Sequence, residues 1–153
     1  MIQVGATVPS FSLSIAGGGN LSLDDLENQR FVLYFYPKAD TPGCTKEACA
    51  FREAQPLFHQ VRTKIIGISK DPVKKHEKFG TKYDLKFTLA SDETSTTCED
   101  FGVWKEKNMY GRRYMGIERS TFLIDENGIL RNEWRKVKVA GHVEDVLTAA
   151  GKL

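Results

Sequence analysis

The chain reads as an α/β fold in which a mixed β-sheet carries helices on both faces and is entered through an N-terminal β-hairpin. Three observations predict it. The run Phe31-Val32-Leu33-Tyr34-Phe35-Tyr36 is continuously apolar or aromatic and stops at Pro37, as a central strand buried on both faces does. After it, short apolar runs alternate with stretches of helical spacing, the order that builds strand-helix-strand units. Finally, 153 residues, 41% of them hydrophobic, suffice for one compact domain over residues 1–153 that buries roughly 70% of its unfolded surface.

Taken in order, Phe11, Leu13 and Ile15 alternate with polar residues, Gly17-Gly18-Gly19-Asn20 supplies a turn, and Leu21 and Leu23 resume the alternation, so the chain opens on a hairpin. The central strand follows, then a loop to Cys44. Ala48, Phe51 and Ala54 recur at helical spacing and predict a helix over residues 42–54, which Pro56 is expected to end or kink. Lys64-Ile65-Ile66-Gly67-Ile68-Ser69 reads as a strand, and Asp71-Pro72 as the cap and first-turn proline of a helix reaching about Tyr83. Phe87-Thr88-Leu89-Ala90 is a short strand, and residues 92–101 a helix closed by Gly102. Ser120-Thr121-Phe122-Leu123-Ile124, the turn Asp125-Glu126-Asn127-Gly128 and residues 129–137 make an antiparallel hairpin, and residues 143–150 a closing helix. This order lies close to the thioredoxin fold.

Composition removes several function classes. The 22 basic and 20 acidic residues are mixed along the chain, for a net charge of +2, so no patch points to nucleic acid or an anionic membrane. The basic stretch 70–82 is interleaved with acidic and apolar residues and reads as the solvated face of a helix. No apolar run approaches the eighteen or so residues that span a bilayer, and Met1-Ile2-Gln3-Val4-Gly5 lacks the charged and apolar regions of an export signal; a soluble, cytoplasmic protein is expected. Three cysteines, an odd number, do not form a secreted disulfide framework and leave thiol chemistry or plain buried thiols. His59, His76 and His142 form no paired motif with them, so no metal site and no cofactor is expected, the histidines taking surface or packing roles. The absence of a C-x-x-C pair argues against a disulfide reductase, and Ala50 stands near where a cysteine phosphatase needs an arginine.

Cys44 carries the chemistry. Pro37 ends a buried strand at its carboxyl end, where open α/β sheets place ligands. Thr41 suits a helix cap, Pro42 the first helical position, and Gly43 a close backbone approach, which sets Cys44 in the first turn of a helix. The unpaired N–H groups and partial positive charge there favour the thiolate, the nucleophilic form of cysteine.

Pro37-Lys38-Ala39-Asp40-Thr41-Pro42-Gly43-Cys44 matches the P-x-x-x-T-x-x-C signature of peroxiredoxins, and its continuation Thr45-Lys46-Glu47-Ala48-Cys49 resembles the PrxQ branch, also called bacterioferritin comigratory proteins. The likeness extends over nearly the whole chain, through Gly67-Ile68-Ser69-Lys70-Asp71 and Arg119-Ser120-Thr121-Phe122-Leu123-Ile124-Asp125. The resemblance implies a thiol-dependent peroxidase acting on hydrogen peroxide and organic hydroperoxides. Cys44 would be the attacking residue, Thr41 would hydrogen-bond the peroxide, Pro37 would shield the site, and Arg119 would stabilise the thiolate and the developing oxygen charge. It further implies recycling by thioredoxin, with glutaredoxin as second candidate, and a monomer. A thiol-based redox sensor or holdase without fast turnover shares these features, and steady-state peroxide consumption separates the two.

A sulfenic acid at Cys44 needs a second thiol. The C-x-x-x-x-C spacing of the PrxQ resemblance points to Cys49. Five residues along a helix span roughly 7.5 Å of axis and about 140° of rotation, beyond the roughly 7 Å between Cα atoms that a disulfide tolerates. A Cys44–Cys49 bond therefore requires the helix to unwind in part. Cys98, expected as a semi-buried helix residue, and an external thiol stay open as partners. Trp104, Tyr110, Tyr114 and Trp134 are read as packing rather than as a substrate entrance.

Overall fold

The computed structural model describes residues 2–153. In chain order it contains strands β1 (Ser12–Ile15), β2 (Asn20–Ser22) and β3 (Arg30–Phe35), helix α1 (Pro42–Gln60), β4 (Thr63–Ser69), α2 (Val73–Lys82) and β5 (Thr88–Ser91). The second half adds α3 (Thr97–Asp100), β6 (Trp104–Met109), β7 (Arg112–Ile117), β8 (Ser120–Ile124), β9 (Leu130–Trp134) and α4 (His142–Ala150). A 3-10 turn, Leu23–Leu26, links β2 to β3.

Seven strands form one mixed sheet in the order β2-β1-β5-β4-β3-β8-β9, in which β3, β4 and β5 run parallel and the flanking pairs antiparallel. The apolar run explains the position of β3: with neighbours on both sides it sends Phe31, Leu33 and Phe35 into one core and Val32, Tyr34 and Tyr36 into the other. Helices α1, α2 and α4 contribute Phe51 and Phe58, Phe79, and Val143 and Val146 to the second core. The first is closed by the 3-10 turn, the short α3 and the segment from Ile2 to Phe11. Gly67 of β4 leaves room for the Tyr34 ring, since a Cβ there would stand 2.8 Å from Tyr34 Cζ.

Several expectations are corrected. Pro56 neither ends nor shortens α1, which continues to Gln60. An interior proline costs a helix about 3 kcal/mol, and the last turn offsets it by burying Phe58 completely, 5.9 Å from the Phe51 ring. Asp71 does not cap α2; Pro72 holds the N-cap position, and the Asp71 carboxylate bonds elsewhere. The helix over residues 92–101 shrinks to the four residues of α3, because Asp92 turns its carboxylate onto the amides of Thr97 and Cys98 across a bend. Between α3 and β8 the sequence reading places no element, yet β6 and β7 pair there as a separate two-stranded hairpin. Trp104 and Trp134 do pack, against the first core and against His142 respectively, but Tyr110 at the hairpin tip is 99% exposed and Tyr114 is also exposed.

Candidate active site

The site lies at the carboxyl end of β3, where three chain segments meet because of strand register. The Phe35↔Ser120 pairing puts Arg119 next to the point where the chain leaves β3, and the Phe35↔Ile68 pairing brings the end of β4 and Asp71 to the same edge. Backbone bonds fix the arginine's segment: Val137 N–H donates to Arg119 O at 3.0 Å and Glu118 N–H to Val103 O at 2.8 Å.

Pro42 opens α1 as its first residue, so Cys44 sits in the first turn, with its side chain only 1% exposed. Arg119 bridges two groups on that helix. Its Nη2 donates to Cys44 Sγ at 3.4 Å, and its Nη1 donates to Glu47 Oε1 at 2.8 Å. Gly43 makes this approach feasible, because a Cβ there would stand 3.1 Å from Nη2. The close partner expected for this glycine is thus the arginine itself. Cys44 and Glu47 are three apart and share one helix face, so a planar fork of donors serves both.

The electrostatics are those of a thiol next to an anchored cation. Burial works against the charge of Arg119, but Glu47 and Cys44 outweigh it and raise its pKa above the ordinary value. Glu47 has no exposed surface; burial pushes its carboxyl up to about 7, against the lowering effect of Arg119. Its Oε2 has no hydrogen-bond partner among the described residues.

Thr41 stands at the N-cap of α1 in extended conformation, but its hydroxyl makes no capping bond and donates instead to Lys38 O at 2.8 Å. Its oxygen lone pairs stay available one turn before Cys44. Pro37 is half-buried at the end of the central strand. Cys49 lies further along the intact α1, half-buried, and all three cysteines are free thiols. The structure therefore brings Cys44 and Arg119 into contact, keeps Thr41 at the same helix end, and leaves Cys49 more than one helical turn away.

Glu47 escapes the sequence reading. The signal was an acid on the apolar face marked by Ala48 and Phe51, but its partner lies 72 residues away. Cys98 is not semi-buried but wholly buried; burial first, and then Asp92, drive its thiol pKa well above the ordinary value. His76 and His142 are buried and hydrogen-bonded to Tyr36 and Thr121, and no group of three or more His, Cys, Asp or Glu able to hold a metal ion occurs among the described residues. Among the described residues no helix is long and apolar enough to cross a membrane.

The site can thus deliver a sulfur nucleophile to a small electrophile with a guanidinium beside the charge that develops. The model of the AhpC/TSA family matches residues 4–133. A Coxiella burnetii relative is 53% identical over 146 residues, covering 95% of this chain and 97% of the relative. Bacillus subtilis peroxiredoxin Bcp is 48% identical over 146 residues, 95% of this chain and 93% of its own. The solved bacterioferritin comigratory protein of Xanthomonas campestris, described for its alkyl peroxide reduction activity, superposes with a TM-score of 0.88 at 45% identity over 93% of this chain and 90% of that one.

Proposed function

This chain belongs to the AhpC/TSA family, within its peroxiredoxin Bcp/PrxQ branch, and so to the thiol-dependent peroxidases; from that premise we propose that Cys44 is the residue that attacks the peroxide. The observation that carries the proposal is the Arg119 bridge, 3.4 Å from Cys44 Sγ and 2.8 Å from Glu47.

In the first step the Cys44 thiolate attacks one oxygen of a hydroperoxide, the O–O bond breaks, and the other oxygen departs as an alkoxide or hydroxide that takes up a proton. Sulfur is oxidised to a sulfenic acid as the peroxide is reduced to alcohol or water. Arg119 faces the sulfur and is anchored by Glu47, so its remaining donors meet the oxygen charge without reorganising. Thr41, whose proton is committed to Lys38 O, accepts a hydrogen bond from the peroxide O–H. Pro37 closes the site from the strand side.

In the second step the Cys49 thiol attacks the sulfenic sulfur, a disulfide forms and water leaves. Because Cys44 and Cys49 stand on one intact helix, α1 opens at its first turns for this step. A thioredoxin dithiol then supplies two electrons, restoring both thiols and leaving thioredoxin as the disulfide.

The test is steady-state peroxide consumption coupled to thioredoxin and its reductase. Wild-type protein should turn over and Cys44→Ser should not; turnover that survives the Cys44→Ser substitution would sink the assignment.

A further inference from the structure

The loop between β3 and α1, residues 37–41, is gripped from both ends of α2. Ahead of α2, the Asp71 carboxylate accepts the Ala39 N–H at 2.7 Å and the Ser69 hydroxyl at 3.0 Å, both at Oδ2. Ser69 and His76 are fully buried, and Ser69 Oγ lies 3.2 Å from His76 Nε2, while His76 Nδ1 lies 2.7 Å from the Tyr36 hydroxyl. Since the single Ser69 proton goes to Asp71, His76 Nε2 carries the ring proton and Nδ1 accepts from Tyr36. Burial, outweighing Asp71, lowers the His76 pKa and keeps the ring neutral, as this assignment requires. The result is one directed chain from Tyr36 through His76 and Ser69 to Asp71, into which the loop's own amide feeds.

At the other end of α2, Lys82 Nζ donates to Asp40 Oδ2 at 2.8 Å and the Tyr83 hydroxyl donates to Asp40 Oδ1 at 2.5 Å. Asp40 holds a left-handed backbone, φ +62°, uncommon for a residue with a side chain. Two adjacent loop residues are thus tied to the two ends of one helix, one by its amide and the next by its carboxylate.

We propose that α2 is a brace for the loop that precedes Cys44, and that Asp71 and Tyr83 are positioning residues that set how readily the first turns of α1 open. The loop leads directly into Pro42, so while Ala39 and Asp40 are held the opening must be absorbed within α1 itself. Releasing either tie lets the loop move with the helix and lowers the cost of opening. The proposal deepens the reading in which Cys49 resolves Cys44 and gives it a chemical consequence. A sulfenic acid that waits in a closed helix meets a second hydroperoxide, which transfers an oxygen to give the sulfinic acid and leaves as alcohol or water. A looser brace shifts that competition towards the disulfide.

Tyr83→Phe is the cleaner probe, since it removes one hydroxyl and keeps the ring that sits edge-on to Phe79 at 5.4 Å. Losing this bond to the Asp40 carboxylate predicts roughly fivefold faster amide exchange over residues 45–49 in the reduced protein. The sulfinic-to-disulfide ratio at fixed hydrogen peroxide, read by mass spectrometry, should fall by about the same factor. Asp71→Ala should act in the same direction more strongly, and Asp71→Asn, which keeps an acceptor for Ala39, should recover much of the loss. Unchanged exchange over residues 45–49 in Tyr83→Phe overturns the brace, and faster exchange with an unchanged ratio overturns its effect on the competition between disulfide and sulfinic acid. A parallel Cys49→Ser protein separates the two ideas. Its exchange still reports on the brace, whereas a Cys44 disulfide that forms without Cys49 removes only the resolution step.

Discussion

Two cysteines of this protein are equally buried and both sit at helix starts, yet their surroundings are of opposite sign. Cys44, 1% exposed in the first turn of α1, has the Arg119 guanidinium 3.4 Å from its sulfur. Cys98, 0% exposed at the start of α3, gives its amide to the buried Asp92 at 2.7 Å, and that carboxylate repels a thiolate more than Lys70 can attract one. Burial and a helix N-terminus are common to both. What differs between them is the guanidinium brought to Cys44 from a distant strand, which Glu47 holds in place at 2.8 Å.

The largest effect should come from removing the cation. Arg119→Met keeps the stem and takes away the donors, and the rate constant for peroxide with reduced protein should fall about 10²- to 10³-fold by stopped flow, leaving Cys44 nearer to Cys98 in behaviour. A fall under threefold would mean that the charge contrast does not set reactivity.

Next in size is Glu47. Its folded pKa of about 7 lies above the ordinary 4.5, so the stability this group contributes is whole below about 4.5 and is lost as pH rises through about 7, a swing of about 3 kcal/mol. His142 acts in the opposite sense. Burial lowers its pKa from 6.5 to about 4, so its contribution is present above 6.5 and lost as pH falls through about 4. Glu47→Gln should abolish the decline in urea-measured stability between pH 5 and 8 and uncover the rise due to His142 between pH 4 and 6.5. A profile with the wild-type shape would show that Glu47 does not titrate there.

A smaller change sharpens the geometry. Gly43→Ala pushes against Nη2 of Arg119, the far end of a flexible side chain, so the guanidinium must shift by a few tenths of an ångström. The peroxide rate should drop about fivefold while stability stays level or improves, because alanine favours a helix over glycine by about 1 kcal/mol. The smallest effect is expected from Cys98→Ala, with a peroxide rate within about twofold of wild type and a midpoint lowered by the loss of one buried sulfur, about 1 kcal/mol. Impaired recycling in this variant would give Cys98 a part in resolution.

The Cys44 end of the comparison was legible in the sequence because its determinants are local: an unbroken apolar strand, then threonine, proline, glycine and cysteine at a helix start. The Cys98 end was not, because Asp92 spends both carboxylate oxygens across a bend, which no periodicity signals. The same holds for Glu47, whose partner comes from another strand, and for the Thr41 hydroxyl, which chooses a loop carbonyl over the cap. The β6–β7 hairpin escaped because strand residues such as Lys105, Glu106, Lys107, Arg112 and Arg113 leave it without apolar alternation, its turn at Tyr110 and Gly111 being the one local cue. Pro56 misled in the other direction, since a local breaker was overridden by burial one turn later.

The contrast between the two buried thiols is tested most directly by treating reduced protein with one equivalent of hydrogen peroxide, alkylating what remains under denaturing conditions, and mapping all three cysteines by mass spectrometry. The predicted result is loss of the Cys44 and Cys49 thiols together in a single Cys44–Cys49 crosslink, with Cys98 alkylated in full. Oxidation of Cys98 in step with Cys44, or a Cys44 that stays reduced, would contradict the account.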